Sequence, residues 1–273
     1  MREVAVVPPI RLAVCITFHF VAERLGYLGS VLANLPTLAA SLDVTIVTNA
    51  SEAEQQRVLD LAAANAVAVK LFVPTGLGHP YLLPWSHFPV MREKFADPSF
   101  THFLYQEDDL LVRNETVHYL LAARESLRAA GLLPAVLRVE QAQPGGEWRA
   151  SDVVDPVSLR DRPMVRDPVE RIGYINLSAC YQGLYFLDRA CMEEHLTGPS
   201  SSPDFGAWPV RERAAQGLTF SHRPPGYKFR YVVPVDLETE MVDGRCFVHH
   251  LPNSYACDPA WAYGKRAVTE LID

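Results

Sequence analysis

The stretch Phe100-Thr101-His102-Phe103-Leu104-Tyr105-Gln106-Glu107-Asp108-Asp109-Leu110-Leu111-Val112 runs an apolar segment, Phe103-Leu104-Tyr105, into three consecutive acids. Apolar character then resumes at Leu110-Leu111-Val112. Three carboxylates beside a buried strand are unfavourable unless positive charge sits with them. A divalent cation is one answer, because hard cations prefer carboxylate oxygen. The other reading is a solvated acidic turn ahead of a helix that Asn114 caps. Where the flanking elements place the triplet decides between them.

Upstream, residues 1–10 read as a loose lead-in. Leu12–Phe18 is a short apolar run of buried-strand type. After the loop His19–Gly26, Leu28, Val31, Leu32, Leu35, Leu38 and Leu42 recur at helical spacing, with Pro36 expected to kink or split the helix. Val44–Thr48 is rich in β-branched residues and reads as the next strand. Ser51-x-x-Glu54 is a capping box opening a helix to about Asn65, and Val67–Val73 reads as a third strand. Strand, helix, strand, helix, strand within roughly sixty residues predicts βαβ crossovers and a parallel sheet. A Gly/Pro loop over 76–84 and a helix over 85–95, with Trp85, Phe88 and Phe95 facing the core, precede the strand that carries the acids. In an open parallel sheet, ligands sit beyond the carboxyl ends of the strands. Thr17-Phe18-His19, Thr48-Asn49 and Glu107-Asp108-Asp109 all lie at such ends, so the acids fall in the expected crevice.

The chain has 273 residues, is 49% hydrophobic and carries a net charge of −7 from 25 basic and 32 acidic residues, enough for one large α/β domain or two small ones. Without a Lys/Arg cluster, nucleic acid is not an expected partner. An anionic substrate would need local basic groups or a metal. The cysteines (Cys15, Cys180, Cys191, Cys246, Cys257) are odd in number and widely spaced, which points to reduced thiols in a cytoplasm and away from a zinc site. Pro8-Pro9 and Arg11 break the longest apolar N-terminal run, so neither a transmembrane segment nor a standard signal peptide is expected. Peripheral membrane association through a partner or a surface patch stays compatible with the sequence.

The second half changes character. A helix is expected over 115–130, a strand over 135–139, then a polar, Pro-rich stretch from Gln141 to Pro168 with a turn at Gly145-Gly146, forming hairpins or an insertion over the crevice. Two halves sharing one sheet are expected.

Four segments in order resemble glycosyltransferases of the GT-A fold, over roughly residues 11–255. Leu104-Tyr105-Gln106-Glu107-Asp108-Asp109 resembles the family's Asp-x-Asp-type motif, with Glu107 and Asp109 in the acidic places. Tyr181–Glu194 is similar to its small-residue strand followed by a helix, with Gly183 alone where the family often has a glycine pair. Ser202-Pro203-Asp204-Phe205-Gly206-Ala207-Trp208, followed by Arg211-Glu212-Arg213, is similar to the acidic residue at a helix start in inverting members. Here Pro203 replaces the usual Glu, and a helix N-cap is the other reading of Asp204. Phe247-Val248-His249-His250-Leu251 resembles the late segment that supplies a metal-binding His, with His249 at the ligand position. Neighbours on a strand face opposite ways, so at most one of the two imidazoles points at the metal. The family's Lys-Pro-Trp is replaced by Pro252-Asn253-Ser254, leaving Lys265 or Arg266 to reach the diphosphate from the tail.

The resemblance implies an α/β, GT-A (Rossmann-like) fold with a mostly parallel central sheet and a smaller irregular acceptor-side half. It implies a single domain over 1–273, with a nucleotide-sugar-binding half at 11–112 and an acceptor-binding half at 113–273. Mn²⁺ or Mg²⁺ would be held by Asp109 and His249. Glu107 or Asp108 would hold the ribose, directly or through metal-bound water, while Thr17, Phe18, His19 and Asn49 framed base and ribose. Gly183 and Trp208 would meet sugar or acceptor. Asp204 would take the proton of a glycan or glycolipid hydroxyl as it attacks the anomeric carbon of a nucleotide-diphosphate sugar, with inversion. Two rivals remain: a nucleotidyltransferase acting on a sugar phosphate, and a non-catalytic nucleotide- or sugar-binding module. The nucleotidyltransferase would be expected to carry a Gly-rich basic loop after the first strand, and Thr17–Arg24 has no glycine.

Overall fold

The computed structural model describes residues 10–167 and 169–273. The lead-in expected over residues 1–10 lies outside the described residues except for Ile10, as does Pro168 at the end of the Pro-rich stretch. The first half alternates as its periodicity demands: β1 (Arg11–Phe18), α1 (Leu25–Asn34), β2 (Ser41–Thr48), α2 (Glu52–Ala64), β3 (Val69–Phe72), α3 (His87–Ala96) and β4 (His102–Glu107). Ser51 and Glu54 form the expected capping box of α2. Pro36 ends α1 as expected, because its ring cannot continue the helical ladder, and a 3-10 turn follows over Leu35–Thr37. Leu42, expected on the helix, instead lies in β2, which starts three residues earlier than its β-branched core suggested.

β4 leads through the tight turn Asp108-Asp109 into β5 (Leu110–Leu111) and α4 (Asn114–Arg128), where Arg113 is the N-cap and Asn114 the first helical residue. The remainder comprises β6 (Leu133–Pro134), β7 (Leu137–Gln141), β8 (Trp148–Ala150), β9 (Val165–Asp167), β10 (Ile172–Ile175), β11 (Leu184–Asp188), α5 (Arg189–Thr197), α6 (Val210–Arg213), β12 (Tyr231–Asp236), β13 (Met241–Val242), β14 (Phe247–His250) and α7 (Ser254–Cys257). The polar stretch after β7 begins with a β7–β8 hairpin that turns at Gly145, whose φ is +73°.

The central sheet has the order β11-β4-β1-β2-β3, with β1 to β4 mutually parallel and β11 antiparallel to β4. The strand order reverses between β1 and β4, and such a switch point opens a crevice at the strands' carboxyl ends. In register, Thr17 lies beside Glu107 there. The expectation of one shared sheet is corrected in part. β11 comes from the second half and joins the central sheet. The other late strands form two further sheets, β13-β12-β10-β9 and β5-β14-β7-β8. Splitting the strands lets β14 run beside the acid turn instead of lengthening the parallel sheet. Buried residues of all three sheets, Ile16, Val139 and Val232 among them, form one continuous core.

β11 is pinned at its far end. The Asp188 carboxylate accepts the Cys191 N–H (2.8 Å) as N-cap of α5 and bonds Arg124 of α4 (3.0 Å). Asp188→Ala removes both contacts and should cost about 1–3 kcal/mol. Asp188→Asn keeps a cap and should cost less. Urea melts of the two variants check this, and equal stability with wild type would contradict it.

Candidate functional site at the switch point of the parallel sheet

A cavity of about 720 Å³ opens at the carboxyl ends of β1 and β4. Thr17, His19, Arg24, Glu107, Asp108, Asp109, Arg138, Asp152 and His250 line it, with aromatic walls from Tyr181, Trp208, Tyr255 and Tyr263. A larger cavity of about 950 Å³ lies by His102, at the opposite end of β4. Its walls are mostly apolar, and its Arg124 and Asp188 are spent on each other at 3.0 Å. Chemistry therefore points to the smaller cavity.

The acids are indeed packed beside a buried strand, and positive charge does sit with them. Arg24, from the turn after β1, donates through Nε and Nη2 to both oxygens of Asp108 (2.9 and 2.7 Å). Nη2 also donates to Asp109 Oδ2 (2.8 Å). His250 Nε2 lies 3.4 Å from the same Asp109 oxygen, and its Nδ1 bonds Glu140. Glu140 Oε2 in turn accepts the Ala256 N–H (2.6 Å). Glu107 accepts from the Tyr181 hydroxyl (2.6 Å) and from Arg138 (3.4 Å). Arg138 forks onto Asp152 (2.9 and 3.2 Å) and lies over the Tyr181 ring at 4.9 Å.

Strand pairing explains why these residues meet. β5 runs antiparallel to β14 and sets Leu110 opposite His250, while the Leu251 N–H donates to Asp109 O (2.9 Å). β14 also pairs with β7, setting Val248 beside Arg138. Side chains alternate across a strand, so Arg138 and Glu140 of β7 share a face with Val248 and His250 of β14. His249 falls on the other face, bonded to Asn253 (3.0 Å) and edge-on to Trp148 (5.1 Å). The expected pairing of Asp109 with His249 is therefore corrected: the imidazole at Asp109 belongs to His250.

Burial raises the pKa of Asp109, but the hydrogen bond and charge of His250, then Arg24 and Arg138, more than reverse this and hold it ionised. Asp108 is driven upward, first by burial and then by the charge of Asp109, against the pull of Arg24. Arg24 loses solvation, yet its bonds to Asp108 and Asp109 secure its charge and raise its pKa. His250 likewise loses solvation, and its bonds to Asp109 and Glu140 raise its pKa overall.

The remaining expected residues divide. Thr17, His19, Glu107, Asp108, Asp109 and Trp208 line the cavity. Gly183 sits against it with φ +65°, where a Cβ would come within 2.9 Å of Glu107 Oε2 and 3.2 Å of Arg138 Nη1. Phe18 does not line the cavity; it is fully buried, edge-on to Phe20 at 5.6 Å. Asn49 accepts the Phe20 N–H (2.8 Å) and ties two strand-end loops together outside the cavity. Asp204 is exposed in the turn 202–208, away from the cavity and from any helix start. Pro203 and the Arg213 bonds to the carbonyls of Pro203 (2.8 Å) and Trp208 shape that turn, and α6 begins only at Val210. Glu212 of α6 does line the cavity. Its Oε1 accepts from Arg211 (3.1 and 2.7 Å), while its buried Oε2 has no partner among the described residues. Lys265 and Arg266 do not reach in, because backbone carbonyls of Tyr255 (2.6 Å) and Val154 (2.7 Å) hold them.

Sequence reading missed Arg24, Arg138, Glu140, Asp152, Glu212 and the alignment of His250. Only Arg138-Val139-Glu140 left a signal: two charges at strand period inside an apolar run. Among the described residues, no three His, Cys, Asp or Glu side chains converge as a ready ligand set. Mg²⁺-type sites, however, are commonly built from one or two carboxylates completed by water and phosphate. Five carboxylates (Glu107, Asp108, Asp109, Glu140, Asp152) here face two guanidiniums and one imidazole, so even with His250 protonated two negative charges are left over. Asp109 Oδ1 is buried with no hydrogen-bond partner. Asp108 and Asp109 thus fit a hard divalent cation, provided Arg24 yields.

Two outcomes are expected. The raised His250 pKa means that its stabilisation is complete below about pH 6.5, the unfolded value, and is lost as pH rises through the folded value. Wild-type stability should therefore fall above that point by at most about 1.4 kcal/mol per pH unit. His250→Gln should lack this component in urea melts across pH 6 to 9; parallel profiles for the two proteins would contradict the ion pair. Gly183→Ala should lose about 1–3 kcal/mol from its left-handed backbone alone. Wild-type stability in that variant would show that Gly183 is not confined.

No protein-family model and no curated protein sequence matches the chain. Among solved structures, it is similar to 4-diphosphocytidyl-2C-methyl-D-erythritol synthase from Anaerococcus prevotii, at 12% identity over 77% of this chain and 82% of that one, TM-score 0.37. It is also similar to S. aureus TarS, at 12% identity over 78% of this chain and 33% of TarS, TM-score 0.41. A third likeness is CMP:2-keto-3-deoxy-manno-octonic acid synthetase complexed with CTP, at 16% identity over 76% and 84% of the two chains, TM-score 0.41. Likenesses this distant carry no argument about chemistry, which rests on the cavity's own side chains.

Proposed function

We propose that the chain is a nucleotide-sugar-dependent glycosyltransferase, as its resemblance to GT-A enzymes implies. The observation that carries the reading is the carboxylate turn Glu107-Asp108-Asp109, buried with its arginines at the switch point of a parallel sheet and walled by aromatic rings. The nucleoside diphosphate would lie along Thr17, His19 and Arg24, and the sugar against the wall made by Tyr181 and Trp208, whose rings meet edge-on at 5.1 Å. Glu212 takes the role first expected of Asp204. Its carboxylate, at the cavity wall, accepts the proton of a glycan or glycolipid hydroxyl once the side chain turns its buried Oε2 into the cavity. The acceptor's hydroxyl oxygen bonds to the anomeric carbon as the bond from this carbon to the diphosphate oxygen breaks, with inversion, and the electron pair leaves on the diphosphate. Arg24, at the mouth of the cavity, stabilises the charge that builds there. A divalent cation on Asp108 and Asp109 would supply further Lewis-acid stabilisation when bound.

One observation favours a second reading, nucleotidyl transfer to a sugar phosphate: the loop after β1 does put a basic residue, Arg24, into the cavity. A panel of nucleotide sugars and nucleoside triphosphates separates the two. Sugar transfer should release a nucleoside diphosphate, whereas pyrophosphate release from a triphosphate would replace this reading with the second. Glu212→Gln should lower kcat by about 10²–10⁴-fold with little change in donor KM, and Asp204→Asn should be silent. An undiminished kcat in Glu212→Gln would remove Glu212 from the mechanism.

A further inference from the structure

We infer that Arg24 is an exchangeable internal counter-ion: its guanidinium occupies the seat that a divalent cation would take on Asp108 and Asp109, and the two compete for it. Three observations converge. The Arg24 fork uses both Asp108 oxygens and Asp109 Oδ2 at 2.7–2.9 Å, the groups a hard cation would seek. Both carboxylates are almost wholly buried, with side chains 5% and 6% exposed, whereas the Arg24 side chain is 33% exposed and reaches in from a 3-10 turn. The carboxylates are thus fixed and the guanidinium is the movable partner. Finally, Asp109 Oδ1 is buried without a hydrogen-bond partner among the described residues, so the guanidinium fills the seat incompletely.

The contrast with Arg138 sharpens the assignment. Arg138 is buried in β7, bonded to Asp152 and Glu107 and stacked on Tyr181, so it has nowhere to go. Among the described residues, the Arg24 guanidinium is held by Asp108 and Asp109 alone, and it borders the open cavity. Displaced from the carboxylates, its guanidinium stays at the cavity wall as a free fork for an anion, the geometry that suits phosphate. The biological sense of this exchange rests on the glycosyltransferase reading, but the competition itself does not.

The test uses Mn²⁺ alone, without nucleotide, on the full chain. Free Mn²⁺ is followed by electron paramagnetic resonance for wild type, Arg24→Ala, Arg24→Gln and Arg24→Lys. Arg24→Ala and Arg24→Gln should bind Mn²⁺ at least about tenfold more tightly than wild type, while Arg24→Lys, which keeps the charge, should stay within about threefold of it. Adding Asp108→Asn and Asp109→Asn to Arg24→Ala should abolish the gain. Guanidinium at low millimolar concentration should raise the Tm of Arg24→Ala and weaken its Mn²⁺ binding, by refilling the seat. If Arg24→Ala fails to fold, Arg24→Gln carries the comparison. Mn²⁺ affinity unchanged in both, or a gain that survives loss of both aspartates, overturns the inference. Failure of sugar transfer leaves it standing, and a flat Mn²⁺ response leaves the transferase reading standing.

Discussion

Carboxylates buried at the end of a β-strand must be charge-compensated, and much of this molecule is arranged to meet that demand. Two unit charges 4 Å apart interact by about 4 kcal/mol at an effective dielectric constant of 20. A turn with acids at 107, 108 and 109 is therefore untenable without partners. The partners come from distant parts of the chain. Arg24 arrives from the turn after β1, Arg138 from β7 and His250 from β14. Breaking such an arrangement by removing one partner is far more damaging than never having built it, because the charge left behind is buried.

Topology meets the demand at little extra length. The parallel order places Thr17 beside Glu107, so whatever follows β1 lies at the mouth of β4. The short antiparallel β5 then recruits β14, and β14 recruits β7 in parallel. One pairing register thus sets Arg138, Glu140 and His250 on the acid side and turns Val139 and His249 away. Gly183, immediately before β11, completes the arrangement: its carbonyl accepts the Glu107 N–H (3.1 Å), and its missing side chain leaves room for Glu107 and Arg138 to meet. A one-residue slip in β14 would turn His250 away from Asp109 and break its link to Glu140.

This explains what could be read from the chain and what could not. The βαβ half was legible because periodicity and a capping box are local signals, and the Ser51–Glu54 box stands where expected. The acid turn was legible as an electrostatic problem, and its solution was not. Arg24 lies 84 residues from Asp108 in sequence, and no local pattern links them. The choice between His249 and His250 is a matter of strand facing, which a pair of adjacent histidines leaves open. Asp204 misled for a different reason. An acid after Ser-Pro looks like a helix start, but the helix begins six residues later, because the Arg213 bonds close the intervening turn. Glu212, on the short helix itself, is the carboxylate that reaches the cavity.

The charge balance bears on how a substrate could enter. On the glycosyltransferase reading, the two negative charges left in excess even when His250 is protonated would oppose the binding of a diphosphate. A single such repulsion, at about 4 kcal/mol, corresponds to nearly a thousandfold in affinity. Burial and the charge of Asp109 push Asp108 toward keeping a proton, against the Arg24 fork that favours its carboxylate. The excess must be met from outside the protein or by redirecting Arg24. Either route ties the anion to the arrival or movement of a positive charge. The linkage is reciprocal: whatever cation improves diphosphate binding must itself be bound more tightly when the diphosphate is present.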